Sequence, residues 1–262
     1  MTPRSSRSLG RKAQGLIVPV TALVSWELAV RANAVSAHLL PPPSELLGTL
    51  SGLGASGALL EHVSISSLRV LSGFALGSIL ALLLGAAVGL SRRVEALLDP
   101  SFQALRAIPS LAWVPLLLLW LGIDESPKIT LIAIGAFFPV YLNFVAGIHN
   151  VDRKLVEVGH VYGLRGWHLI VRVFVPAALP SLLTGLRTGL SLAWMFLVAA
   201  ELIAATRGLG YLLTDGRETG RADLVLAAII VLALLGKASD SVLRTLELRL
   251  LRWRDAFDRQ RK

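Results

Sequence analysis

Cysteine is absent from the 262 residues. Disulfides, thiolate metal sites and cysteine nucleophiles are therefore excluded. Charge is also scarce: Asp, Glu, Lys and Arg make up 16% of the chain, against ~25% in soluble domains. Apolar residues fill the gap at 54%, above the ~45–50% of a soluble domain. That balance excludes disorder, a nucleic-acid-binding arm and most soluble enzymes. The charge that is present is lopsided, 26 Lys and Arg against 17 Asp and Glu, for a net +9. It lies between apolar runs, where it orients a chain in a bilayer, so no nucleic-acid partner is expected.

Runs free of Asp, Glu, Lys and Arg locate the spans, each of which needs ~20 apolar residues. Val70–Ser91, Ala107–Ile123 and Ile129–Ile148 are uninterrupted. Val173–Ala200 is broken only by Arg187, Leu224–Leu243 by Lys237 and Asp240, and Ala13–Val30 by Glu27. Six transmembrane helices are expected, at about 13–30, 70–91, 107–123, 129–148, 177–200 and 224–243. They form one all-α membrane domain over 13–243, with cytoplasmic tails at 1–12 and 244–262. With both termini inside, two of the 26 Lys and Arg (Arg187 and Lys237) lie in spans. Six lie outside: Arg31, Arg69, Lys128, Arg207, Arg217 and Arg221. The other 18 lie inside, as the positive-inside rule requires.

The basic start and Ala32-Asn33-Ala34 have the outline of a cleavable signal peptide. Glu27 and Arg31 stand where an apolar region and a neutral cleavage site belong, so the first span is read as retained. After it, Pro41-Pro42-Pro43 reads as an extended stretch ending at Ser44 as a helix N-cap. A short interfacial helix is expected over 45–53. Gly73–Gly77, Gly85–Gly89 and Gly185–Gly189 are GxxxG pairs that let helices approach closely, read as intrachain packing in preference to a dimer seam.

Ionisable groups in spans must face protein, water or the interface. Lys237, Asp240 and Arg244 are spaced to pair along one helix. Arg187 has no local acid. It needs a partner on another helix, or it faces an anionic solute path. Pro115 and Pro139 are expected to interrupt spans three and four, and broken helices can line such a path. Arg187, Pro115 and Pro139 are the path candidates.

The most informative segment is the connection between spans four and five, residues 151–176. Asp152 can cap a short helix over 153–162, which Gly163 can end with positive φ. Residues 166–173 can form a second short helix, with Pro176 in the first turn of span five. Leu155, Val156, Val158, Tyr162 and Leu164 would be wet unless something covers them. This segment resembles the EAA motif of permeases of the ATP-binding cassette importers: Glu-Ala-Ala, three residues, Gly, nine residues, Ile-x-Leu-Pro. Glu157 and Gly163 match in identity and spacing, and Val173, Val175 and Pro176 match the tail. Val158 and Gly159 replace the two alanines.

The similarity covers about residues 16–255. Leu105-Arg106-Ala107-Ile108-Pro109, Trp113-Val114-Pro115, Trp120 to Ser126, Tyr162-Gly163-Leu164, Ala199-Ala200-Glu201 and Leu234-Leu235-Gly236-Lys237 resemble the sulfonate/nitrate/taurine branch. Within it, Gly122 to Ser126 and Leu251-Arg252-Trp253 resemble the aliphatic sulfonate permeases. The resemblance implies a type I importer membrane domain with cytoplasmic coupling helices, in a bacterial inner membrane. It also implies two permease chains, a pair of ATPase subunits and an external solute-binding protein. The chain has no Gly-x-x-x-x-Gly-Lys-Ser/Thr loop; Gly236-Lys237-Ala238 lacks the hydroxyl that would hold Mg²⁺. ATP and Mg²⁺ are therefore expected on the partner ATPase, with no cofactor and no metal on this chain. Channel and intramembrane-enzyme readings find little here. No filter-like loop stands out, and His38, His62, His149, His160 and His168 form no set at metal-ligand spacing.

Overall fold

Apolar chain in lipid must satisfy its own backbone, and for single segments that means helix. The computed structural model describes residues 6–253, with side chains over 17–203 and 205–253. The tail expectations for residues 1–5 and 254–262 lie outside the described residues. The described elements are all helical. In order they are α1 (Ser6–Arg31), α2 (Pro43–Ala55), α3 (Ala58–Leu90), α4 (Arg92–Ala107), a 3-10 turn (Ser110–Trp113) and α5 (Val114–Leu121). Then come α6 (Glu125–His149), α7 (Arg153–Val161), α8 (Gly166–Leu169) and a π turn (Ile170–Phe174), followed by α9 (Val175–Ala204), α10 (Leu209–Glu218) and α11 (Ala222–Leu250).

Four stretches among the described residues are long and apolar enough to cross a bilayer: Ala58–Leu90, Glu125–His149, Gly166–Ile203 and Ala222–Leu250. The expected third span differs from its prediction. It is the second arm of a bent pair, Arg92–Ala107 and Ser110–Leu121, meeting at 89°. Pro109 is the cause, because the residue before a proline is driven out of the helical region; Ile108 is extended, with φ −76° and ψ 123°. Pro115 does not interrupt a helix. It sits in the first turn of α5, where a missing N–H costs nothing. Nor does Pro139 break its span, since α6 runs through it. The Asn143 side-chain amide donates to the Pro139 carbonyl at 2.8 Å.

Two further expectations are corrected. The second loop helix is not separate. Gly166 to Ile203 is one continuous helical stretch, with the wide π turn at Ile170–Phe174. That turn lies where Pro176 has no N–H to give a carbonyl one turn back. Ser44 does not cap α2, which already starts at Pro43 with Pro42 before it. Ser44 instead donates its N–H and its hydroxyl to the Glu27 carboxylate of α1, at 3.1 and 2.8 Å.

The core sits on both sides of α6. On one side Gly73, Gly77, Gly85 and Gly89 of α3 lie against Ile132, Ala133, Phe144 and Ile148. On the other, Gly185 and Gly189 of α9 lie against the backbone of Pro139–Val140 and Ala136. All three GxxxG pairs therefore face a helix of the same chain. The chain alternates between two ends of the bundle. One holds α7, with the C-termini of α3 and α6. The other holds α10, with the starts of α3, α6 and α11.

Candidate functional site

At the α7 end, residues 151–176 build a small amphipathic platform. The Asp152 carboxylate accepts from the Lys154 N–H at 2.9 Å and starts α7. The helix ends in a Schellman motif: the Gly163 N–H donates to the His160 carbonyl and the Leu164 N–H to the Gly159 carbonyl, both at 2.9 Å. Gly163 has φ +76°, which a side chain would strain. Gly159 is the buried residue of α7. A Cβ there would stand 2.7 Å from Leu169 and 3.3 Å from Val173. Its smallness lets α7 lie on the start of the next span.

The other face of α7 is turned outward. Glu157 and Val158 are exposed. Val161 and Tyr162 are 86% and 80% exposed, and Trp167 is 72% exposed. Val156 and Leu164 are half-buried instead. Of the motif residues, the fold brings Gly159 and Val173 into contact and leaves Glu157, Val158 and Val175 exposed, with Pro176 half-buried behind them.

The path candidates lie in three different settings. Arg187 is held by two carboxylates of α11, Asp240 at 2.9 Å and Glu247 at 3.0 Å. Its partner is thus on another helix, and the pairing of Lys237 with Asp240 is not formed. Pro139 faces Gly185 on the α6–α9 seam, and Pro115 opens α5.

At the opposite end the fold assembles an ion network, buried at Arg69, Lys128 and Glu201 and half-exposed at Glu125, that single-sequence reasoning did not find. The Arg69 guanidinium donates to both oxygens of Glu125 at 2.6 Å, to Glu201 at 2.7 Å and to the Arg207 carbonyl at 2.7 Å. Lys128 adds a bond to Glu125 at 3.0 Å. Glu201, 1% exposed, also accepts from the Ser66 hydroxyl and from the Gly210 N–H, both at 2.7 Å. Leu209 N–H donates to Ser66 and Gly208 N–H to His62. These three side chains satisfy the otherwise orphaned N–H groups that begin α10. A side chain on Gly208 would run into the Glu201 carboxylate. The one available signal was Ala199-Ala200-Glu201, an acid ending an apolar run. Its partner lies 132 residues away.

The ion pairs are distributed unevenly. Each of the six basic residues assigned to the outside has a carboxylate: Arg31 with Glu27, Arg69 and Lys128 with Glu125, Arg207 with Glu61, Arg217 with Glu218, and Arg221 with Asp223. Arg92, Arg93, Arg106, Arg153, Lys154, Arg165, Arg172, Arg244, Arg249 and Arg252 have none among the described residues. The α7 end therefore carries the uncompensated positive charge. Among the described residues no group of His, Asp and Glu is arranged to hold a metal ion.

Comparison with known proteins gives this architecture its relatives. Residues 73–252 match the family described as the binding-protein-dependent transport system inner membrane component. The chain is 44% identical to an aliphatic sulfonates transport permease protein, SsuC, of Bacillus subtilis (strain 168), covering 94% of this chain and 89% of that one. It is 47% identical to the SsuC protein of Escherichia coli (strain K12), covering 92% and 91%. The taurine transport system permease TauC of the same E. coli strain is 36% identical, over 88% and 86%. Among solved structures, an amino acid ABC transporter aligns with a TM-score of 0.61 at 15% identity, covering 78% of this chain and 97% of that one.

Proposed function

The chain belongs to the binding-protein-dependent transport system inner membrane components, and from that premise we propose that it imports aliphatic sulfonates, driven by ATPase subunits docked on α7. It is the membrane permease of an ATP-binding cassette importer, a transport component and not an enzyme. Its partners are in general terms an ATPase and a solute-binding protein.

The observation that carries the docking proposal is the build of α7. Gly159 seats the helix on the bundle and Gly163 ends it, while Glu157, Val158, Val161 and Tyr162 are presented outward. An exposed apolar stripe beside an acid is what a groove on a partner could cover. In this reading α7 and the adjoining Val173, Val175 and Pro176 face the cytoplasm, as do both termini. Two copies of the chain form the translocating unit. ATP and Mg²⁺ are held by the ATPase pair, whose closure rocks the two permease chains. ATP and the loaded binding protein shift that equilibrium through their different affinities for its two states. The sulfonate assignment is supported by the two SsuC relatives and by the motifs shared with that branch. Arg187, tied to Asp240 and Glu247, acts as a cross-helix tie in preference to a solute contact.

The test is competitive uptake in cells carrying the permease with its own ATPase and binding protein. Labelled alkanesulfonate is offered against excess taurine, nitrate or sulfate. The expected result is saturable uptake blocked by unlabelled alkanesulfonates alone, and abolished by Glu157→Lys with the protein still inserted. Block by taurine or nitrate would move the substrate. Wild-type uptake in Glu157→Lys would remove the docking surface.

A further inference from the structure

We propose that the cavity between α4, α6 and α7 binds the headgroup of an anionic phospholipid, which braces α7 against the bundle. The cavity, about 480 Å³, is lined by Arg92, Glu95, His149 and Arg153 together with Leu90 and Phe174. It opens where α3 and α6 both end, the level at which an apolar span meets the headgroup layer. Its lining combines two guanidiniums, an imidazole and one carboxylate with the apolar side chains of Leu90, Ile148 and Phe174. A phosphodiester on a glycerol backbone matches that combination, since it needs both cations for the phosphate and apolar surface for the glycerol and chains. Free phosphate would leave the apolar lining unused. Basic pockets between membrane helices on the cytoplasmic side suit such headgroups.

Two features point to a ligand. Neither Arg92 nor Arg153 forms an ion pair among the described residues. Among the described residues the only carboxylate lining the cavity, Glu95, stands 3.9 Å from the His149 imidazole. The start of α4, where Arg92 follows Ser91, adds the partial positive charge of a helix N-terminus. Arg153 and Val156 belong to α7, His149 to α6 and Arg92 to α4, so one bound phosphate would tie three elements together. The inference rests on the reading that the α7 end faces the cytoplasm, where anionic lipid gathers.

The experiment uses the assembled transporter and does not depend on its activity. Phosphatidylglycerol retained per permease is counted by native mass spectrometry of the complex, after equilibration in phosphatidylcholine containing graded phosphatidylglycerol. Arg92→Gln and Arg153→Gln should each weaken retention about fivefold, the equivalent of ~1 kcal/mol per basic side chain. Glu95→Gln should strengthen it, which a merely destabilised fold would not do. Inorganic phosphate at millimolar concentration should not displace the lipid. Unchanged retention in the double Arg variant, or none of the strengthening with Glu95→Gln, would overturn the proposal. Full displacement by inorganic phosphate would replace the lipid with a soluble anion. Uptake by the same complex reports separately on the permease reading, so either can fail alone.

Discussion

Glu27 and Glu201, two carboxylates that end or interrupt apolar runs, both serve the N-terminus of a later helix. Glu27 accepts two bonds from Ser44 at the start of α2. Glu201 accepts from Gly210 at the start of α10. A helix beginning presents free N–H groups and partial positive charge, and a carboxylate satisfies both. Glu201 adds a second duty as a buried partner of Arg69. Removing that partner leaves a carboxylate in the interior without its cation. Arg69→Leu should therefore cost ~3–5 kcal/mol, the range for breaking a buried pair, measured as a lower thermal midpoint of the purified complex. At the other end, Gly163 has φ +76° with open space where a Cβ would be, so the demand is conformational alone. Gly163→Leu should cost ~1–2 kcal/mol at that residue and lower ATP-coupled uptake. Gly163→Asn, which tolerates the left-handed region better, should retain most of it.

Between elements, the decisive contacts are made by residues with no side chain. A Cβ on Gly77 would run into the Ala133 carbonyl, and backbone cannot swing aside as a side chain can. Gly77→Leu is expected to separate α3 from α6 and sharply reduce the amount of folded permease recovered from membranes. Gly48→Ala in α2, with nothing within 4 Å, should leave the yield unchanged. Arg187 shows the same principle for charge. Its carboxylates come from α11, 53 and 60 residues along the chain, so spacing along its own helix could not identify them. The expected Lys237–Asp240 pair lost to this cross-helix geometry. The bent third span has a local origin in Pro109, which hydropathy counting overlooked because the run Ala107–Ile123 remains apolar throughout.

Across the whole molecule, charge is sorted by pairing as well as by number. The basic residues at the α10 end are neutralised by Glu61, Glu125, Glu201, Glu218 and Asp223, while those at the α7 end stand without partners among the described residues. Uncompensated Lys and Arg resist transfer across the bilayer, which orients the chain. With no native cysteine, single introduced cysteines can report sidedness cleanly. A cysteine replacing Arg93, exposed at the same end as α7 and outside the docking stripe, should react with a membrane-impermeant maleimide only after inside-out vesicles are made. A cysteine replacing Glu218 should react from the external side of intact cells. The reverse pattern would invert the topology and remove α7 from the ATPase.

Sequence alone determined what depends on neighbouring residues. Apolar runs set most of the spans, Asp152 and Gly163 bounded α7, and the spacing from Glu157 to Pro176 carried the resemblance. These are consequences of helical rise, capping chemistry and local φ preference, all readable within a window of a few turns. Tertiary structure alone decided which distant groups meet. It chose Asp240 and Glu247 for Arg187 and assembled Arg69, Glu125 and Glu201. It also turned all three GxxxG pairs toward α6. Each of those choices is made by packing around one central helix, where the partner's position depends on the whole bundle and leaves no mark at fixed spacing in the chain.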